Sequence, residues 1–199
     1  MVTYGNYFAP APYSTLSIVE AAAYGDGMEA DGLFFLGRKF YQSYNGTVKS
    51  DLISLGVHEA AHNWWFGLVG NDQALEPWLD ESLSLYSEHV FYEVNYPAYV
   101  NWWWGFRVNH YNPTGWVDNN IYNAGPFRSY VNSVYLQGAN FLYELRLRIG
   151  DEAFFAFLQD YTGQMTGRQA TTDDFFRILR LHTTVDFSDI TASYFQVPR

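Results

Sequence analysis

From Ser50 onward, apolar residues recur at the three- and four-residue spacing of helices, and the pattern predicts helices over about 51–68, 77–94, 97–109, 132–149, 151–162 and 172–182. Before that point the pattern differs. Leu16 to Ala22 and Gly32 to Leu36 are short apolar runs with β-branched or aromatic residues, flanking a turn-rich Gly25-Asp26-Gly27, and they predict two neighbouring strands of a small sheet. The first residues, to about Pro12, are rich in Tyr, Pro, Gly and Asn and predict an extended strand or loop. Ser50 is placed as a helix cap, and Pro77 as a first helical residue whose missing N–H costs nothing. Gly150-Asp151 reads as a stop and a new start, and Thr171-Thr172-Asp173-Asp174 as a cap with acids in the first turn. Between 110 and 130, Asn, Gly and Pro predict a loop of a length that is often functional. No repeat or linker interrupts the chain, so residues 1–199 are read as one domain.

The second half of the first long helix carries His58-Glu59-Ala60-Ala61-His62. Two histidines four residues apart lie about 40° apart around a helix axis, so both imidazoles reach one ion. Glu59 then stands beside that ion without binding it. Glu81, in the first turn of the helix predicted over 77–94, supplies a third possible ligand. A zinc hydrolase needs this set: two neutral nitrogens, a third protein ligand, an open position for water and a carboxylate to take that water's proton. Read as structure alone, the acids would be solvated helix charges and the histidines satisfied polar groups, and the joint spacing favours the metal. Glu88, seven residues past Glu81 and on the same face, is a candidate acceptor for the outer nitrogen of a ligand histidine.

Composition narrows the partners. The formal charge of −10, with no Lys/Arg stripe, argues against a nucleic-acid partner and against an anionic membrane surface. No run of about twenty apolar residues exists to span a bilayer, and Met1 to Tyr13 has neither the basic region nor the apolar stretch of a signal peptide. The absence of cysteine removes disulfides, thiol catalysis and thiolate metal sites, and leaves the compartment open. Aromatic residues make up 20% of the chain, which calls for either an aromatic core or an aromatic-lined groove.

His58 to Asp72, with Glu76-Pro77-Trp78-Leu79-Asp80-Glu81, resembles the gluzincin metallopeptidases of the aminopeptidase N and leukotriene hydrolase family. That family uses the same spacing of eighteen residues between the second histidine and its glutamate ligand. Gly27-Met28-Glu29, followed by Gly32-Leu33, resembles the family's exopeptidase motif, whose glutamate grips the substrate's free amino group. Val134-Tyr135-Leu136-Gln137-Gly138-Ala139 resembles the segment carrying its transition-state tyrosine. The resemblance covers about residues 8 to 182. It implies an α+β fold, a thermolysin-like zincin catalytic domain with a small amino-terminal sheet followed by a mainly helical lobe. It further implies one Zn2+ held by His58, His62 and Glu81, with Glu59 as general base and Tyr135 as oxyanion donor. Glu29, with Gly27 and Met28, would bind the amino end of a peptide substrate.

On the residues alone, Tyr135 is as well a core tyrosine and Glu29 a solvated loop acid. Arg128 and Tyr130 either line the cleft or lie on the surface. Two positions depart from the family. Ala30 stands where an asparagine follows the exopeptidase glutamate, which bears on the support of the amino-group site; Ser82 stands where a glycine follows the ligand glutamate, with an effect expected on packing only. Family members carry a β-rich domain before the catalytic domain and a helical one after it, so flanking domains of a larger parent protein are expected. The function implied is removal of amino-terminal residues from peptides. The alternatives are an endopeptidase or epoxide hydrolase on the same site, or a non-catalytic zinc-binding module, which would have no need of both Glu59 and Tyr135.

Overall fold

A computed structural model describes every residue except 23 and 24. A short helix α1 (Val2–Tyr7) precedes strands β1 (Ser17–Ala21), β2 (Gly27–Ala30) and β3 (Leu33–Gly37). Helices α2 (Arg38–Gln42) and α3 (Asp51–Ala61), a short strand β4 (Gly70–Asn71) and the long helix α4 (Trp78–Asn95) come next. A broken helical stretch from Pro97 to Tyr111 contains α5 (Val100–Trp103) and a π-helical turn, Trp104–Val108. The chain then runs through α6 (Phe127–Tyr130), a second π-helical stretch at Val131–Gln137, α7 (Gly138–Ile149), α8 (Asp151–Met165), β5 (Gln169–Ala170), α9 (Thr172–His182) and α10 (Ser188–Tyr194).

The small sheet has three strands, not two, in the order β1-β3-β2, with β1 parallel and β2 antiparallel to β3. Alternation along β3 buries Phe34 and Leu36 against the helices. Glu29 pairs with Phe34 and Met28 with Phe35, so Glu29 shares the inner face while Met28 is exposed. α3 lies across β2 and β3 on one side and against α4 on the other.

The amino-terminal segment, expected to be extended, is helical. Tyr4 and Phe8, one turn apart, stack at 5.5 Å and are both buried, against Trp64 and Trp65 respectively. The Tyr4 hydroxyl lies 3.0 Å from the Val57 carbonyl and 3.1 Å from that of Ser87, joining α3 to α4. These contacts override the weak helix propensity of Gly5 and Asn6. α3 also stops at Ala61, seven residues short of expectation, because Trp64 and Trp65 must turn fully into the core. Phe66 takes φ 120°, a left-handed conformation that is strained for a bulky residue. Other boundaries agree within three residues, except that the helix expected from 132 begins at Phe127, inside the expected loop over 110–130. Ser50 occupies the cap position of α3, although its hydroxyl bonds to the Thr47 carbonyl at 3.1 Å. At α9 the expected cap is a full capping box between Thr171 and Asp174.

Much of the aromatic content is core: Trp64, Trp65, Trp78 and Trp103 are completely buried. Among the buried polar groups, one histidine has no hydrogen-bond partner at all. His89 on α4 lies among the rings of Tyr86, Trp103, Trp104 and Tyr143, and neither ring nitrogen makes a hydrogen bond. Burial, aided by the Arg146 charge, pulls its pKa down to about 4, even with Glu93 Oε1 4.0 Å from Nε2. The folded state therefore favours neutral His89. Its contribution is present above the unfolded value near 6.5 and is lost as pH falls from there through about 4, on the order of 3 kcal/mol. A His89→Leu variant is expected to show a flatter fall in urea midpoint between pH 6.5 and 4 than its parent. Parallel profiles would show that His89 is not the acid-sensitive group.

Candidate metal centre

Three side chains from two helices converge. His58 Nε2 and His62 Nε2, both from α3, stand 3.2 Å apart, and Glu81 Oε2 from the first turn of α4 lies 3.4 Å and 3.5 Å from them. Tetrahedral ligands about 2.0–2.2 Å from a zinc ion must be about 3.3–3.6 Å from one another, so the triangle fits such an ion. Glu81 Oε2 is buried without a hydrogen bond, as expected of an atom kept for a metal. His58, His62 and Glu81 thus fit zinc by donor type and by spacing.

The outer nitrogens are also engaged. His62 Nδ1 lies 3.1 Å from both the Trp65 carbonyl and the Ser84 hydroxyl. The carbonyl can only accept a hydrogen bond, so Nδ1 carries a proton and Nε2 is the nitrogen left to bind a metal. That carbonyl is within reach because α3 has already ended. His58 Nδ1 lies 3.2 Å from Glu88 Oε1. Glu88 is fully buried and takes hydrogen bonds from Trp103 Nε1 at 2.9 Å, Arg107 Nε at 2.8 Å and Arg107 Nη2 at 2.6 Å. Burial would push the Glu88 carboxyl up, but the Arg107 guanidinium and His58 outweigh it and keep it ionised.

Without an ion, the cluster shares protons among its acids and imidazoles. Burial lowers His58 and His62, yet the adjacent Glu81 carboxylate, and for His58 that of Glu88 as well, holds them up at about 9 and about 10. Glu81 is driven far down by the same partners, despite its burial. Glu59 is pushed up to about 7 by burial, against the pull of both histidines. Asp80 is raised by burial and by the charge of Glu81. A dication placed here would neutralise this excess of carboxylate and displace the protons.

Glu59 lies against the backbone of Gly27, where a Cβ would stand only 2.0 Å from Glu59 Oε1. Gly27 is thus the residue that makes room for the carboxylate. Glu29 offers an oxygen within 4.8 Å of ligand atoms of Glu59 and His62. Its Oε1 accepts from Gln73 Nε2 at 3.2 Å, and the same amide donates to Asp80 Oδ2 at 3.0 Å. Met28 faces away and does not line the cleft. The Tyr135 ring stacks on His58 at 6.0 Å, and Tyr130 packs edge-on against it at 5.7 Å. Burial, with the charge of Glu81, raises the Tyr135 phenol far above its usual range, so it remains a donor. These groups open onto a cleft of about 330 Å³, whose far wall includes Tyr111, Phe127 and Arg128, with the Arg128 guanidinium 4.5 Å from the Tyr111 ring.

Arg107, Trp103, Gln73 and Asp80 belong to this site and were not singled out from the sequence. A buried acid on an apolar helix face demands a cation, so Glu88 signalled that a partner exists. Nothing in the spacing pointed to Arg107, which reaches it from a π-helical turn.

A family model described as the peptidase family M1 domain matches residues 2–194. Aminopeptidase M1-B of Oryza sativa subsp. japonica is 24% identical over 95% of the chain, and probable aminopeptidase 2 of Sulfurisphaera tokodaii is 25% identical over 73%. The chain spans 23% and 20% of these relatives' lengths. Among solved structures, an M1 zinc metallopeptidase of Deinococcus radiodurans has a similar fold, with TM-score 0.67 and 22% identity over 90% of this chain and 39% of that one. Native yeast LTA4 hydrolase gives TM-score 0.71 and 20% identity over 100% of this chain and 34% of that one.

Proposed function

The chain belongs to peptidase family M1, and from that premise we propose that it is the thermolysin-like catalytic domain of a zinc aminopeptidase, one part of a longer protein. The observation that carries the reading is the triangle of His58 Nε2, His62 Nε2 and Glu81 Oε2 at 3.2–3.5 Å, with the unpartnered carboxylate oxygen of Glu59 beside it. Zinc held there would polarise the substrate carbonyl and acidify water. Glu59 takes a proton from the attacking water and delivers it to the departing amine. Tyr135 donates a hydrogen bond to the oxygen on which charge develops. Glu29, at the cleft edge on β2, pairs with the ammonium of a peptide's first residue. Gln73 steadies it from the side, where Ala30 offers no amide. No helix among the described residues is long and apolar enough to cross a membrane.

Elemental analysis after exhaustive dialysis is expected to give one zinc per chain, with affinity falling as acid protonates the two histidines. Protein that holds no zinc and takes up none would refute the metal site. In the full-length protein, peptides with a free amino terminus should be cleaved and their acetylated forms spared, and Glu29→Ala should narrow that gap. Equal cleavage of both forms by the parent would replace the aminopeptidase reading with an endopeptidase.

A further inference from the structure

Ser82 follows the ligand Glu81 and is completely buried. It does more than fill space: its hydroxyl donates to the carbonyl of Val134 at 2.7 Å, across the interface between α4 and the π-helical stretch that carries Tyr135. The opposing residue is Gly138, where a Cβ would fall 2.0 Å from Ser82 Oγ and 2.4 Å from Ser82 Cβ. A side chain at 138 would therefore expel the hydroxyl. The Val134 carbonyl and the Tyr135 amide share one planar peptide, so an anchor on that oxygen fixes the direction in which the Tyr135 side chain leaves the backbone. The anchor matters here because Val131–Gln137 is π-helical, a wide and uncommon turn that requires local support.

We propose that Ser82 is a positioning residue that holds Tyr135 in register with the metal ligands, through the Val134 carbonyl. The proposal rests on the reading of Tyr135 as oxyanion donor. Its neighbour Glu81 and its target Tyr135 flank the same point of the cleft, so one hydrogen bond ties the ligand-bearing helix to the donor-bearing one. A displacement of about 1 Å at such a donor costs on the order of a hundredfold in rate, and loss of one anchor of several should cost about tenfold.

The test is a double-mutant cycle in the full-length zinc enzyme, with kcat, KM, zinc content and affinity for a phosphinic pseudodipeptide as readouts. Ser82→Ala should keep its zinc and its KM within about twofold, while kcat and phosphinate affinity each fall about tenfold. In a Tyr135→Phe background the same change should alter neither by more than about twofold. An equal loss in both backgrounds would make Ser82 a general structural residue and overturn the proposal. A second variant separates packing from the hydrogen bond: Ser82→Gly with Gly138→Ala moves the side-chain atom to the other helix without restoring the hydroxyl. Reduced kcat in that folded double variant supports the anchor, and full activity overturns it. If Tyr135→Phe itself turns over like the parent, the role of Tyr135 falls and this inference falls with it. If Tyr135→Phe is impaired and Ser82→Ala is not, this inference alone fails.

Discussion

Glu59→Gln is expected to keep its zinc and its fold while turnover falls by about 10²–10⁴, the usual loss when a general base is removed. The amide matches the carboxylate in shape, so it fits the space that Gly27 leaves open. It cannot take a proton from water. Burial already disfavours the charge on Glu59, so with the metal removed the variant should melt no lower than its parent near neutral pH, and the pair of measurements separates catalysis from folding. Activity near the parent's would remove Glu59 from the mechanism.

Tyr135→Phe should lower kcat by about 10²–10³ and leave KM nearly unchanged, because the lost hydrogen bond forms fully only once charge develops on the substrate oxygen. The ring keeps its place, since its contacts with His58 and Tyr130 are made by its faces and edge, not by its hydroxyl. A fall of less than about tenfold would assign the oxyanion to another donor.

The convergence of the proposed ligands could be read from the chain because helical geometry makes a strict promise about residues four apart, and His58 and His62 keep it. Glu81 was equally legible, through Pro77 and the helix start it marks; Pro77 takes the cap position and its carbonyl receives the Glu81 amide at 3.0 Å. Glu88 proved to lie behind His58, as its place on the Glu81 face implied. What remained hidden depended on contacts distant in sequence or on unusual backbone. β2 was missed because Gly27 and Ala30 carry little strand propensity, and its pairing is dictated by β3 and by the Glu59 carboxylate above it. The two π-helical stretches leave no signature in a 3.6-residue pattern, yet they carry Arg107 and Tyr135 into the site. Ser82 was expected to matter for packing only, because its partner Val134 lies 52 residues away.

The turn that closes α3 has a consequence for how this protein tolerates mutation. His62 is oriented in part by a main-chain oxygen, that of Trp65, which no substitution can delete. A mutational scan would therefore find no side chain at 65 whose loss mimics removal of that acceptor, and the sensitivity should appear displaced, at the residues that shape the loop. Gly67 is the clearest: a Cβ there would meet the Asn63 carbonyl at 3.0 Å, Asp31 Oδ1 at 3.1 Å and the His62 carbonyl at 3.2 Å. Its intolerance, read from a table of variants alone, would look like a folding defect in a surface turn. It should instead report on the loop that orients His62.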